Sequence, residues 1–148
     1  MSSILHIIES LPHPLTRLIV DDPVRPEIPV EFRVGDYSNI FVLTSESGEP
    51  QAVLCCAYRE GVPSTVHELV TLPTLLPSVA VFYTIWSYRA GAGRSLIRLT
   101  RSWIEQNRDN ITEFVTLSPP TEMARVFHLR NGARELRVNS DTINYQYP

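Results

Sequence analysis

Apolar positions in this chain come in short bursts, and the longest unbroken one lies near its middle. Residues 79–88 are apolar, aromatic or β-branched almost throughout, the composition of a buried strand. The segment Arg89-Ala90-Gly91-Ala92-Gly93 interrupts that pattern as a turn. Beyond it Leu96, Leu99 and Trp103, with Ile97 and Ile104 one face over, recur at helical spacing as far as Gln106. Residues 40–44 and 51–58 read as a hairpin joined by the turn 45–50, and residues 65–72 read as a further strand carrying His67 and Glu68. Residues 111–117 alternate and then run apolar, as a strand covered on both faces would. Ser118-Pro119 predicts a helix over 119–130 with Ser118 as its cap, and Asn131-Gly132 supplies a left-handed stop. Residues 135–147 have β character and close the sheet. At the other end, Ile4, Leu5, Ile7, Ile8 and Leu11 form a helical stripe within 2–18, stopped by Pro12-His13-Pro14. Prolines at 23, 26 and 29 predict an extended, polyproline-like connector over 21–29.

The strand, glycine turn and helix of residues 79–106 carry the chemistry. First-turn amides of a helix have no partner within it, and with the positive end of the helix dipole they form a site for an anion such as phosphate. Gly91 and Gly93 let a ligand approach the backbone with no Cβ in the way. Arg94, Arg98 and Arg101 share one helical face, Arg98 and Arg101 reading equally well as a solvated surface. A P-loop needs Gly-Lys-Ser/Thr, whereas Arg94 follows Gly93 and the chain contains no lysine. A dinucleotide fold needs a third glycine where Leu96 stands.

Gly91-x-Gly93-x-x-Leu96-Ile97 resembles the pyrophosphate loop of the GNAT superfamily, the acyl-CoA-dependent N-acyltransferases. That loop is usually written Gln/Arg-x-x-Gly-x-Gly/Ala before a pair of aliphatic residues. Downstream, Ala124-Arg125-Val126-Phe127-His128-Leu129-Arg130-Asn131-Gly132-Ala133 is similar to the family's Ala-x-x-Phe-Tyr-x-Lys-x-Gly-Phe segment. The resemblance implies one α+β domain over 1–148, a mixed, mostly antiparallel and splayed sheet flanked by helices. It implies acetyl-CoA, or another acyl-CoA, as co-substrate and a small-molecule or protein amine as acceptor. The pantetheine arm would enter between the strands 79–88 and 111–117 and pair with the backbone of Ile85, Trp86 and Ser87. The amides of Ala90, Gly91, Ala92, Gly93, Arg94 and Ser95 would receive the pyrophosphate, with Arg89 and Arg94 as charge contacts and Phe127 packing on CoA. His128 stands where the family's acidic tyrosine is usual, and it reads either as the acid or as a packed histidine. Glu68, with His67 beside it, is the candidate base, or an ordinary surface carboxylate. Tyr88 stands where Gln or Arg is usual. Together the two departures keep open a second reading, a catalytically silent module that binds CoA or a protein.

Composition narrows the field. At 148 residues the chain is the size of one domain, and its net charge of −3 gives no support to nucleic-acid or membrane-surface binding. All thirteen basic residues are arginine. Cys55 and Cys56 are adjacent, point to opposite faces of a strand and are poor disulfide partners. Two histidines around the first proline break lack a third ligand, so no metal site is expected. With no leader or long apolar span, a cytoplasmic location is the default, and pairing of two copies through the C-terminal strands is an expectation.

Overall fold

The computed structural model describes residues 2–148. Strands β1 (Ser3–Ile8), β2 (Ser38–Ser45), β3 (Pro50–Arg59), β4 (Val79–Ser87), β5 (Glu113–Thr116), β6 (Arg134–Val138) and β7 (Ile143–Tyr147) form one sheet in the order β1-β2-β3-β4-β5-β7-β6. Every neighbouring pair is antiparallel except β4 and β5. A parallel pair needs a long crossover, and helix α3 (Ala92–Asn107) supplies it. Leu96, Ile97, Trp103 and Ile104 of α3, with Phe127 of α4 (Glu122–Arg130), pack on Phe41, Leu54, Phe82 and Phe114. The opposite face is covered by a 3₁₀ helix (Pro14–Asp21), α1 (Val30–Arg33) and α2 (Val66–Thr71), through Leu18, Phe32 and Leu69, and by Ile28 of the connector. This is an unclosed α+β sandwich, and among the described residues no helix is long and apolar enough to cross a membrane.

Strand β4 carries a register shift that decides what each of its faces shows. Cys56 opposes Phe82 and Cys55 opposes Thr84, so Tyr83 is an extra residue in the ladder. Before it, odd positions (Val79, Val81) face the 3₁₀ side. After it, Trp86 faces that side and Ile85 faces α3.

Four expectations change. The helical stripe of residues 2–18 is instead β1 followed by the 3₁₀ helix. Leu5 and Ile7 pack on the α3 face while Ile8 packs on the other, and the β-branched isoleucines extend along the edge of β2 from Ser3↔Ser45 to Ile8↔Ile40. Residues 65–72 form α2, not a strand: Thr65 caps it by accepting from the Glu68 amide at 3.0 Å, and Glu68 reaches back to the amide and hydroxyl of Ser64. The helix expected from Pro119 starts at Glu122, with Thr121 and not Ser118 as cap. Pro120 pushes the residue before it out of the helical region, so Pro119 cannot open the helix. The 21–29 connector is not an extended spacer. It folds around the ion pair Asp22–Arg33, 2.7 Å long, with both side chains fully buried. Arg33 also donates to the carbonyls of Arg25 and Ile28.

Candidate active site

Strands β4 and β5 are paired only from Val79↔Glu113 to Phe82↔Thr116. One further bond, from the Leu117 amide to the Phe82 carbonyl, closes the ladder, and Ser118 then turns to Ile143 of β7. Strand β4 runs on to Ser87 with β3 on its other side. Its free edge past Phe82 therefore presents unpaired backbone groups, which need a partner. Between the parted strands lies a cavity of about 370 Å³, walled by Thr84 to Ser87, Leu117, Ser118, Phe127 and His128, with Pro23 and Val24 across its mouth.

The cavity opens past Ser87, Met123 and Phe127 into a trough of about 860 Å³ around the glycine turn. Gly91 (φ +81°) is the N-cap of α3 in the left-handed region, and no side chain caps the helix. Ala92 and Ser95 donate to the carbonyls of Arg89 and Gly91, leaving the amides of Gly93 and Arg94 between them without a backbone acceptor among the described residues. A Cβ on Gly93 would stand 3.0 Å from Ser87 Oγ and 3.2 Å from the Phe127 ring, so glycine is what lets α3, β4 and α4 meet here. Arg89 and Arg94 line the trough, as do Glu122 and Arg130 from the two ends of α4.

The structure gathers most of the residues singled out by sequence. Ile85, Trp86 and Ser87 line the cavity; Arg89, Ala90, Gly91, Gly93 and Arg94 line the trough; Phe127 lines both. Ala92 is buried behind the turn, and exposed Ser95 bonds back to Gly91. Glu68 lines neither space. It sits half-buried at the start of α2, its carboxylate held below the usual range by the Ser64 amide and hydroxyl, and it is a capping group there.

His128 is 5 % exposed on α4, with Nδ1 2.7 Å from the hydroxyl of Tyr147 and its ring stacked on Tyr145. Burial pushes its pKa from 6.5 to about 4, so the ring is neutral at pH 7. Tyr83, the bulged residue, is buried, and desolvation keeps its phenol protonated. Tyr88 donates to Asp21 at 2.7 Å and accepts from the Trp86 indole at 3.0 Å.

What sequence reasoning missed is the strap over the cavity mouth. Asp22 accepts from Thr84 Oγ1 at 2.8 Å and from the amides of Val24 and Arg25, and Arg25 donates to the Leu117 carbonyl at the end of β5. With Asp21 on Tyr88, these bonds tie residues 21–25 to both parted strands. The only local signal was a pair of aspartates before the first of three prolines.

No family model matches this sequence, and no curated protein matches it. Solved structures do. Malonyl-CoA decarboxylase from Agrobacterium vitis superposes with a TM-score of 0.80 at 18% identity, over 98% of this chain and 60% of that one. The chain thus spans about three fifths of the length of that relative. AAC(6')-Ib, solved with paromomycin and acetyl-CoA, gives 0.68 at 12% identity over 99% and 93% of the two chains. A structure from Desulfovibrio desulfuricans assigned to the GNAT acetyltransferases gives 0.63 at 12% identity over 98% of each. The fold is GNAT-like.

Proposed function

We propose that this chain binds an acyl-CoA thioester in the cleft between β4 and β5 and transfers its acyl group to an amine. The observation that carries this reading is the parting of the two strands past Phe82, which opens a cavity beside unpaired β4 backbone and continues to a glycine turn with free helix amides. The free edge suits an extended arm bearing amides, and the Gly93 and Arg94 amides with Arg89, Arg94 and Arg130 suit a pyrophosphate. In the reaction the amine nitrogen, arriving as free base, bonds to the acyl carbon, the carbon–sulfur bond breaks, and one proton from nitrogen ends on sulfur. On this reading His128, which lines the cavity, is the residue that meets the charge developing on the acyl oxygen or sulfur.

A second reading is decarboxylation of a malonyl-type thioester, and the acyl end of the cavity favours it. Its titratable side chains, Tyr83 and His128, are uncharged near pH 7, and most of the wall is apolar. Such surroundings destabilise a carboxylate relative to neutral carbon dioxide. Here the carbon–carbon bond to the carboxylate breaks, its electron pair passes to the enolate, and a proton from solvent completes the acetyl thioester. The malonyl-CoA decarboxylase likeness points the same way.

One pair of measurements separates the readings. Thermal shift with acetyl-CoA and malonyl-CoA reports binding. Thiol release against an amine panel, and mass spectrometry of malonyl-CoA turned to acetyl-CoA, report the reaction. Thiol release supports acyl transfer, acetyl-CoA formation supports decarboxylation, and stabilisation without either leaves the silent binding module. No stabilisation by either thioester overturns the acyl-CoA reading.

A further inference from the structure

We infer that Tyr147 is a positioning residue that holds His128 as its Nε2–H tautomer, so that the ring meets the cleft as a neutral hydrogen-bond donor. The argument is an accounting of protons. Tyr147 is 6 % exposed and its hydroxyl lies 2.7 Å from His128 Nδ1, its one side-chain partner among the described residues. Around the pair stand the rings of Phe82 from β4, Phe114 from β5, Tyr145 from β7 and Phe127 from α4, with the Arg101 guanidinium 4.7 Å over Phe114. Among the described residues no charged group hydrogen-bonds to His128 or Tyr147. A phenol is both donor and acceptor, and burial keeps its proton on. Were Nδ1 to carry the imidazole proton and donate it to Tyr147, the phenolic O–H would be left with no acceptor in a dry place, which is costly. With the phenol donating to Nδ1, the buried phenolic proton has its acceptor, and the neutral ring carries its own proton on Nε2, which is not among the buried unpaired atoms. Since Nδ1 is turned to β7, the opposite edge of the ring is the one left to the cavity wall.

For function, this makes His128 a fixed N–H aimed at the place where negative charge gathers, on the thioester oxygen or the departing sulfur. It need not give up its proton to stabilise that charge. The same donor serves acyl transfer and decarboxylation. Its use rests on the acyl-CoA reading, whereas its existence is a property of the free protein and is tested without any thioester.

Long-range proton–nitrogen correlation spectra of uniformly ¹⁵N-labelled protein at pH 7 distinguish the two neutral tautomers, and His128→Gln identifies the signals of His128. The expected wild-type pattern is Nε2–H with an acceptor Nδ1, and Tyr147→Phe should move it towards a mixture. An Nδ1–H pattern in the wild type, or an Nε2–H pattern untouched by Tyr147→Phe, overturns the inference. Should Tyr147→Phe fail to fold, the wild-type spectrum alone decides. With a turnover assay in hand, Tyr147→Phe should lower kcat about tenfold with KM within twofold. A spectrum as expected beside a wild type that neither acetyl-CoA nor malonyl-CoA stabilises would sink the acyl-CoA reading and leave the tautomer standing.

Discussion

His128 shows how much one residue's meaning depends on neighbours distant in sequence. Its place in a recognisable segment was legible, but its partner Tyr147 lies 19 residues away on another element, and nothing local announces the pairing. That burial has a stability consequence with a definite sign. The unfolded chain takes up a proton at His128 below about pH 6.5, while the folded chain resists until about pH 4. The stabilisation is therefore complete above 6.5 and is lost as the pH falls from there to 4. At roughly 1.4 kcal/mol per unit of difference the loss approaches about 3 kcal/mol. Urea midpoints at pH 7 and pH 4.5 should differ less in a folded His128→Gln variant than in the wild type, because only the wild type carries this contribution on top of its carboxylates. Arg94 makes a second prediction at this scale. Reversing its charge with Arg94→Glu should weaken acetyl-CoA binding by roughly tenfold by calorimetry, since a carboxylate would then face the phosphates. Unchanged affinity would remove Arg94 from the site.

Among the elements, legibility followed locality and length. The strand, turn and helix of residues 79–106 were readable because sixteen residues of α3 repeat one pattern and Gly91 marks its start. Short elements were not. Six residues of β1 fit a helical stripe as well as a strand until β2 supplies an edge to pair with, and α2 has the β-branched content of a strand in Val66, Val70 and Thr71 while its true signal, Thr65-x-x-Glu68, is a capping pattern. Thr65→Ala removes the acceptor for the Glu68 amide and should cost about 1 kcal/mol in chemical denaturation. It should leave thioester binding untouched, because α2 lines neither space. A loss of binding in that variant would show that Glu68 matters to the site after all. The late start of α4 had a readable cause in the Pro119-Pro120 pair, whereas the bulge at Tyr83 left no mark in sequence.

At the level of the whole molecule, the resemblance foresaw the parting of β4 and β5, and local pattern did not. Register between strands is set by contacts spread over the chain, and the strap depends on ion pairing between residues 22 and 33 under a proline-rich stretch that reads as open. The strap predicts that Asp22→Asn will be among the most damaging conservative changes. It leaves Arg33 buried with no counter-charge and facing an amide, a loss on the order of 3–5 kcal/mol, while the retained Oδ1 still accepts from Thr84. Replacing Arg33 and Asp22 together by Met and Leu should recover much of the folding stability while removing the Thr84 link. If the double variant also recovers full thioester affinity, the strap has no part in shaping the site. The extra residue at Tyr83 is absorbed without disturbing the pairing beyond it. Ile85 still opposes Leu54 on the side of the long crossover helix and Trp86 still opposes Val53 on the side of the strap, so deleting Tyr83 alone would straighten the strand and leave both where they are. One residue added in line between Thr84 and Ile85, by contrast, would exchange the two walls of the opening and give a protein with its pocket turned inside out.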